Sequence, residues 1–285
     1  MQPDTLSVIF RSASFIALFQ AAGMAIFLAL FGRPLEVSRS PIELAAKLSA
    51  VAAAVLVVGQ YTLEAARMAG DMSGITDPSL QMMVMHSASS LVLGVRLMGL
   101  LAIVIGLGRG KGRGALGVIG AGMIAVSFML IGHSAANPQR WVLAPLLAIH
   151  VMIVAFWFGA LLPLCLACTR ETPLIAGRVT EAFSNMALWL VPGIFAAGAL
   201  IGCILVRHLA EFRSGYGLSL LAKFAGFVLL MGIAAVNKWR LGPAIARGNA
   251  QVLTAFRLSL GIEYLLICVV LGITAAMTTL YSPES

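Results

Sequence analysis

Met82, Met85 and His86 stand three and four positions apart, a spacing that puts all three on one face of a helix. Thioether and imidazole are ligands for copper, and thioether favours Cu(I), whereas hard cations such as magnesium prefer oxygen. Met83 points away from that face, and Met68 and Met72 precede it, so five of the 14 methionines fall between positions 68 and 85. The intervening residues are mostly Asp, Ser, Gly and Thr. Methionine also fills gaps in apolar helices, but such density in a polar stretch favours ligation. Asp71 and Asp77 add negative potential that raises the local cation concentration.

Three further histidines extend this chemistry. His133 in IGHSAAN ends one apolar run, His208 in VRHLAEF ends another, and His150 lies about eight residues inside a third. At 1.5 Å per residue, His150 sits about 12 Å below the membrane edge, where a polar group is costly without a partner or a cavity. His133 and His208 also fit ordinary interfacial positions. Arg11, Arg96, Lys223 and Glu263 interrupt apolar runs and are functional candidates for the same reason. Helix rise separates Lys223 from Glu263 by about 15 Å, too far for a direct bridge. Cys165 and Cys168 form C-x-x-C without the second pair that a zinc site needs or the strand-helix setting of a redox motif. On one helix their sulfurs share a face suited to a two-coordinate soft metal, and Cys168 follows His150 by five turns on the same side. Cys203 and Cys268 read as packing residues.

The elements that position these groups must be membrane helices. Hydrophobic residues make up 60% of the 285, charged residues 11%, and mean hydropathy is +1.00. Runs long enough to cross about 30 Å of hydrocarbon are expected near 6–31, 44–66, 84–107, 115–131, 142–166, 188–206, 218–236 and 258–280. None alternates like a barrel strand. The expected fold is an all-α polytopic bundle of about eight transmembrane helices forming a single domain over 1–285. The first run lacks a basic leader and a small-residue cleavage site, and reads as a retained helix.

Charge is distributed unevenly between the alternate connections. Twelve Lys and Arg flank one set, against Arg67, Arg140, Arg207 and Arg213 on the other. Positive-inside bias therefore places both termini outside the cytoplasm, and it accounts for the +8 formal charge without nucleic acid. The run GLGRGKGRGALG at 106–117 lacks the phosphate-loop spacing and reads as a tight basic turn.

Several blocks resemble the CopD/PcoD family of copper-resistance inner-membrane proteins: HVMIVAFWFGALLPL at 150–164, EAFSNMALWLVPGIFAAGALIG at 181–202, YGLSLLAKFAGFVLLMGIAAVNKWRLGPAI at 216–245 and FRLSLGIEYLLICVVLGITAAM at 256–277. They occur in order, and the clearest resemblance spans 131–283. The resemblance implies a bacterial inner-membrane location with periplasmic termini, inward copper movement, and a periplasmic copper carrier of the CopC type as partner. His133, His150, Trp157, Lys223, Asn237 and Glu263 match positions of the family pattern. Because the outward termini are short, the carrier is expected to be a separate protein.

The expected function is copper transport from periplasm to cytoplasm for homeostasis or resistance, with Met82, Met85, His86, His133 and His150 as the metal site and no enzymatic step. No ATP-binding motif is present, so the membrane potential is the natural driving force. Alternatives are a b-type haem electron carrier, since membrane histidines serve as axial ligands, and a membrane factor supplying copper to a cuproenzyme.

Overall fold

The computed structural model describes residues 2–108, 110–132, 136–205, 214–247, 249 and 251–281, and these contain helices and turns but no strand. The helices are α1 (Pro3–Phe31), α2 (Arg39–Ala69), α3 (Pro78–Met85), α4 (Ala88–Gly106), α5 (Arg113–Ser127), α6 (Arg140–Arg170), α7 (Pro173–Leu205), α8 (Gly215–Val236), α9 (Gly242–Ala246) and α10 (Gln251–Leu280). Among the described residues, seven apolar helical stretches are long enough to cross a membrane, α8 through α9 counting as one continuous stretch. Each of the eight expected spans coincides with a helix. The fourth, α5, has 15 residues, about 22 Å, and is shorter than the rest.

The third span differs most from the sequence expectation. Rather than running unbroken from Val84, the chain folds a 3-10 turn at Met72–Thr76 and the separate helix α3, then breaks at His86 before α4 begins. Local capping explains this break. Asp77 Oδ1 accepts from the backbone N–H groups of Ser79 and Leu80 at the start of α3, and Ser87 Oγ accepts from Ser89 N–H at the start of α4.

Helix α1 is the centre of the molecule: 83% of its apolar window is buried, against 11% for α7. It packs on α2, α5, α6 and α10, so both halves of the chain assemble around it. The contact with α6 is made through Gly23 and Gly159. A Cβ on Gly23 would lie 1.9 Å from the Ala155 carbonyl oxygen, and one on Gly159 would lie 2.4 Å from Gly23 Cα. Small residues let membrane helices approach backbone to backbone, where dispersion takes the place of the missing hydrophobic effect. Pro163 has no N–H to offer the Gly159 carbonyl, and Gln20 Nε2 from α1 donates to that oxygen instead at 3.4 Å. On the same side, rings of Phe31, Phe156 and Phe183 link α1, α6 and α7 at centroid distances of 5.5–6.4 Å.

The Gly-rich run holds the turn between α4 and α5, but from Arg113 onward it is already helical. Gly108, Gly110 and Gly112 have φ of 127°, 151° and 80°, a region that favours glycine. At one end of the bundle Asp4 pairs with Arg67 at 2.9 Å, while Arg67 and Arg11 donate to the carbonyls of Thr279 and Thr278. The starts of α1 and the ends of α2 and α10 therefore meet at one end, called here the terminal end. At the opposite end Glu171 Oε1 accepts from Val37 N–H, Ser38 N–H and Ser38 Oγ at 3.0, 2.8 and 2.6 Å, tying α6 to the turn before α2.

Two outcomes follow from this packing. Gly23→Ala or Gly159→Ala is expected to destabilise the bundle by about 1–3 kcal/mol, whereas Gly261→Ala, with nothing within 4 Å of its added methyl, leaves stability unchanged or slightly raised. Unfolding in mixed micelles measures both. Burial pushes the Glu171 carboxyl up, but the hydrogen bonds from Ser38 and the neighbouring amides outweigh it and hold it below its usual range. Its contribution is thus present above the ordinary glutamate value and is lost as pH falls through the depressed one. Amide exchange at Val37 and Ser38 should accelerate over that acidic window in the wild type, and Glu171→Gln should remove this pH dependence.

Candidate metal centre

The site is built on α6. His150 and Trp157 are seven residues apart, two turns and about 10 Å, and so lie on nearly the same face. His150 Nδ1 sits 3.3 Å from the carbonyl oxygen of Ile194 on α7. A carbonyl only accepts, so Nδ1 carries the proton and donates, and Nε2 keeps its lone pair. Histidine ligands are commonly oriented in this way, by a hydrogen bond from the other ring nitrogen to a backbone carbonyl. Gly198, one turn after Ile194, leaves room for the ring: a Cβ there would stand 3.4 Å from His150 Cε1.

Deeper in the same half, Glu263 on α10 is 3% exposed and accepts two hydrogen bonds. Trp157 Nε1 donates to Oε2 at 3.3 Å, and Asn237 Nδ2 donates to Oε1. Asn237 reaches this position at a π turn, Asn237–Leu241, where the Gly242 N–H bonds back to the Asn237 carbonyl. Such one-turn widenings are frequent at functional sites. The Asn237 Oδ1 atom is buried without a partner among the described residues. Lys223 lies within electrostatic reach of His150. It makes no ion pair with Glu263 among the described residues. Nearer the opposite end Lys238 Nζ donates to Asn185 Oδ1 at 2.8 Å. These polar groups all lie in the second half of the chain, on α6, α7, α8, the π turn and α10.

Met82, Met85 and His86 occupy a different place. All three are exposed on α3 and its C-terminal cap, where His86 N–H bonds to the Met82 carbonyl. Met83 is exposed too, and Val84 is the residue buried against the bundle. Helix α3 packs on α2, α4 and the 3-10 turn, all in the first half of the chain. The structure thus keeps these three side chains together on one short helix and places His150 in the second half. His133 and His208 lie outside the described residues. No group of three or more His, Cys, Asp or Glu converges as a metal cage among the described residues. Asp71 and Asp77 are held below the usual carboxylate range by hydrogen bonds from Ser73 and Ser79 respectively, so both are anionic beside the methionines.

Sequence reasoning missed the partners of two groups it had singled out. Arg96 on α4 is buried, donates from Nε to Ser127 Oγ at 3.0 Å, and stands 4.7 Å from the centre of the Phe128 ring. Beside it is a cavity of about 20 Å³ lined by Gln60, Tyr61, Glu64 and Ser89 among others. The i,i+4 pair Gln60 and Glu64 and the i,i+7 pair Ser89 and Arg96 were the available signal. For His150 the partner is a backbone carbonyl, which no residue type announces.

A model described as copper resistance protein D matches residues 177–277, and one described as copper resistance protein D-like, N-terminal domain, matches residues 1–141. Copper resistance protein D of Pseudomonas syringae pv. tomato is 29% identical over 149 residues, 48% of this chain and 48% of that protein. The match spans about half the length of that relative. No solved structure matches. Two family models in order along most of the chain, on a bundle of membrane-spanning helices, show that the protein belongs to the copper resistance protein D family.

Proposed function

We propose that the chain carries copper across the bacterial inner membrane from the periplasm toward the cytoplasm, with His150 as the central ligand. The observation that carries this reading is the bond from His150 Nδ1–H to the Ile194 carbonyl, which presents Nε2 as a ligand inside a membrane helix. Family membership supports copper as the cargo. The excess of positive charge on one set of connections supports a periplasmic terminal end, and Met82, Met85 and His86 on that end suit a capture segment ahead of His150. His133, which lies outside the described residues, belongs to the same proposed set. The polar side chains of His150, Lys223, Trp157, Glu263 and Asn237, all in the second half, support it as the route. A cation moving inward gains about 2.3 kcal/mol per charge per 100 mV. Delivery by a separate carrier of the CopC type is part of this proposal, and the copper delivered serves homeostasis or resistance.

Copper accumulation in proteoliposomes under an inside-negative potential tests the reading. His150→Ala and His133→Ala should each abolish most uptake, and wild-type uptake in both would reject the site. Gly198→Val, which crowds the His150 ring, should weaken copper affinity by about 10–100-fold, as loss of an orienting partner does. An absorption spectrum of the purified protein should lack a Soret band; one abolished by His150→Ala would support haem instead.

Glu263 offers a separation of charge from packing. Glu263→Leu strands the Trp157 and Asn237 donors and should cost about 1–3 kcal/mol of stability. In Glu263→Gln the Asn237 amide can turn over, so that Gln accepts from Trp157 and donates to Asn237 Oδ1. That variant should fold normally and yet transport more slowly if the route needs the negative charge, which flux measurements on the two variants resolve.

A further inference from the structure

The transport reading leaves one cluster unused, at the far end of the helix that carries His150. Cys165 and Cys168 are one turn apart on α6, so their β carbons are about 5–6 Å apart on one face. Cys168 is buried and Cys165 is half-buried, both as free thiols. Thr180, two turns into α7, is 4% exposed; its hydroxyl has no hydrogen-bond partner among the described residues and lies near the Cys168 thiol. Arg257 on α10 lies within electrostatic reach of the same sulfur. His150 and Cys168 are eighteen residues apart on an unbroken helix, five turns and about 27 Å, and project from the same side.

We infer that Cys165 and Cys168 form a second copper site, a two-coordinate Cu(I) dithiolate at the end of the bundle opposite the termini. Binding replaces two S–H bonds with two Cu–S bonds: one Cu(I) and two thiols give a bis-thiolate complex of charge −1 and release two protons. Thiolate sulfur is the preferred donor for Cu(I). The complex is an anion, and two groups near it match that sign: the Thr180 O–H is a donor without an acceptor among the described residues, and the Arg257 guanidinium balances the charge. The same Thr180 and Arg257 would serve poorly around a cationic or hard-metal site. The site rests on the reading of copper as cargo and gives the copper that leaves His150 a terminus along one helix.

The test is anaerobic titration of the purified full chain with Cu(I) supplied from a colorimetric Cu(I) chelator. The wild type should show ultraviolet thiolate-to-copper charge-transfer absorption, and bound Cu(I) should shield Cys165 and Cys168 from maleimide while leaving Cys203 and Cys268 as labelled as before. The C165S/C168S variant should bind one Cu(I) fewer and lose the band, while His150→Ala keeps it. An undiminished band and stoichiometry in C165S/C168S, or no protection of either thiol in the wild type, overturns the site. Failure of the transport reading gives a different pattern: wild-type accumulation in His150→Ala together with an intact thiolate band leaves the dithiolate site standing.

Discussion

The backbone contact of Gly23 with Gly159 is the constraint on which the rest of the bundle depends. With α1 and α6 in van der Waals contact along their main chains, a side chain at either position has nowhere to go. The approach also lets Gln20 reach the carbonyl that Pro163 leaves free, which satisfies an acceptor that lipid could not. Because α1 joins the first half of the chain to α6, the depth and rotation of α6 are set here. His150, Trp157 and Cys168 inherit their positions from that one crossing.

The two halves differ in electrostatic character. Beneath α3, the first half buries Arg96 beside a small polar cavity, with Arg11 and Arg67 within electrostatic reach of one another. Glu64 lines the same cavity and offsets part of this positive charge. The second half holds Glu263, the buried carboxylate of the bundle among the described residues, with its oxygens directed at Trp157 and Asn237. On the proposed transport function, the exposed thioethers and His86 would concentrate copper at the surface and the α6 side would conduct it.

Much of this was legible in the sequence, and what was not has physical causes. Eight apolar runs located the helices because hydrocarbon demands continuous helical hydrogen bonding wherever the backbone crosses. Splitting of the third span at His86 is not legible because a short, Met-rich apolar helix and its caps look like a continuation of the apolar run that follows. The cluster of Trp157, Asn237 and Glu263 was visible only as scattered positions shared with a family. Nothing in their spacing reveals a π turn that carries Asn237 to the carboxylate, nor a tryptophan two turns below His150 that faces it. Met82, Met85 and His86 share a face as their spacing requires, yet spacing says nothing about which half of a bundle a short helix packs against.

The central claim is that His150 Nε2 binds copper. X-ray absorption at the copper edge, recorded on copper-loaded protein in the C165S/C168S background so that thiolate scattering does not intrude, tests it most directly. Imidazole multiple scattering that disappears on His150→Ala is the predicted result. Spectra that are the same with and without His150 would contradict the account.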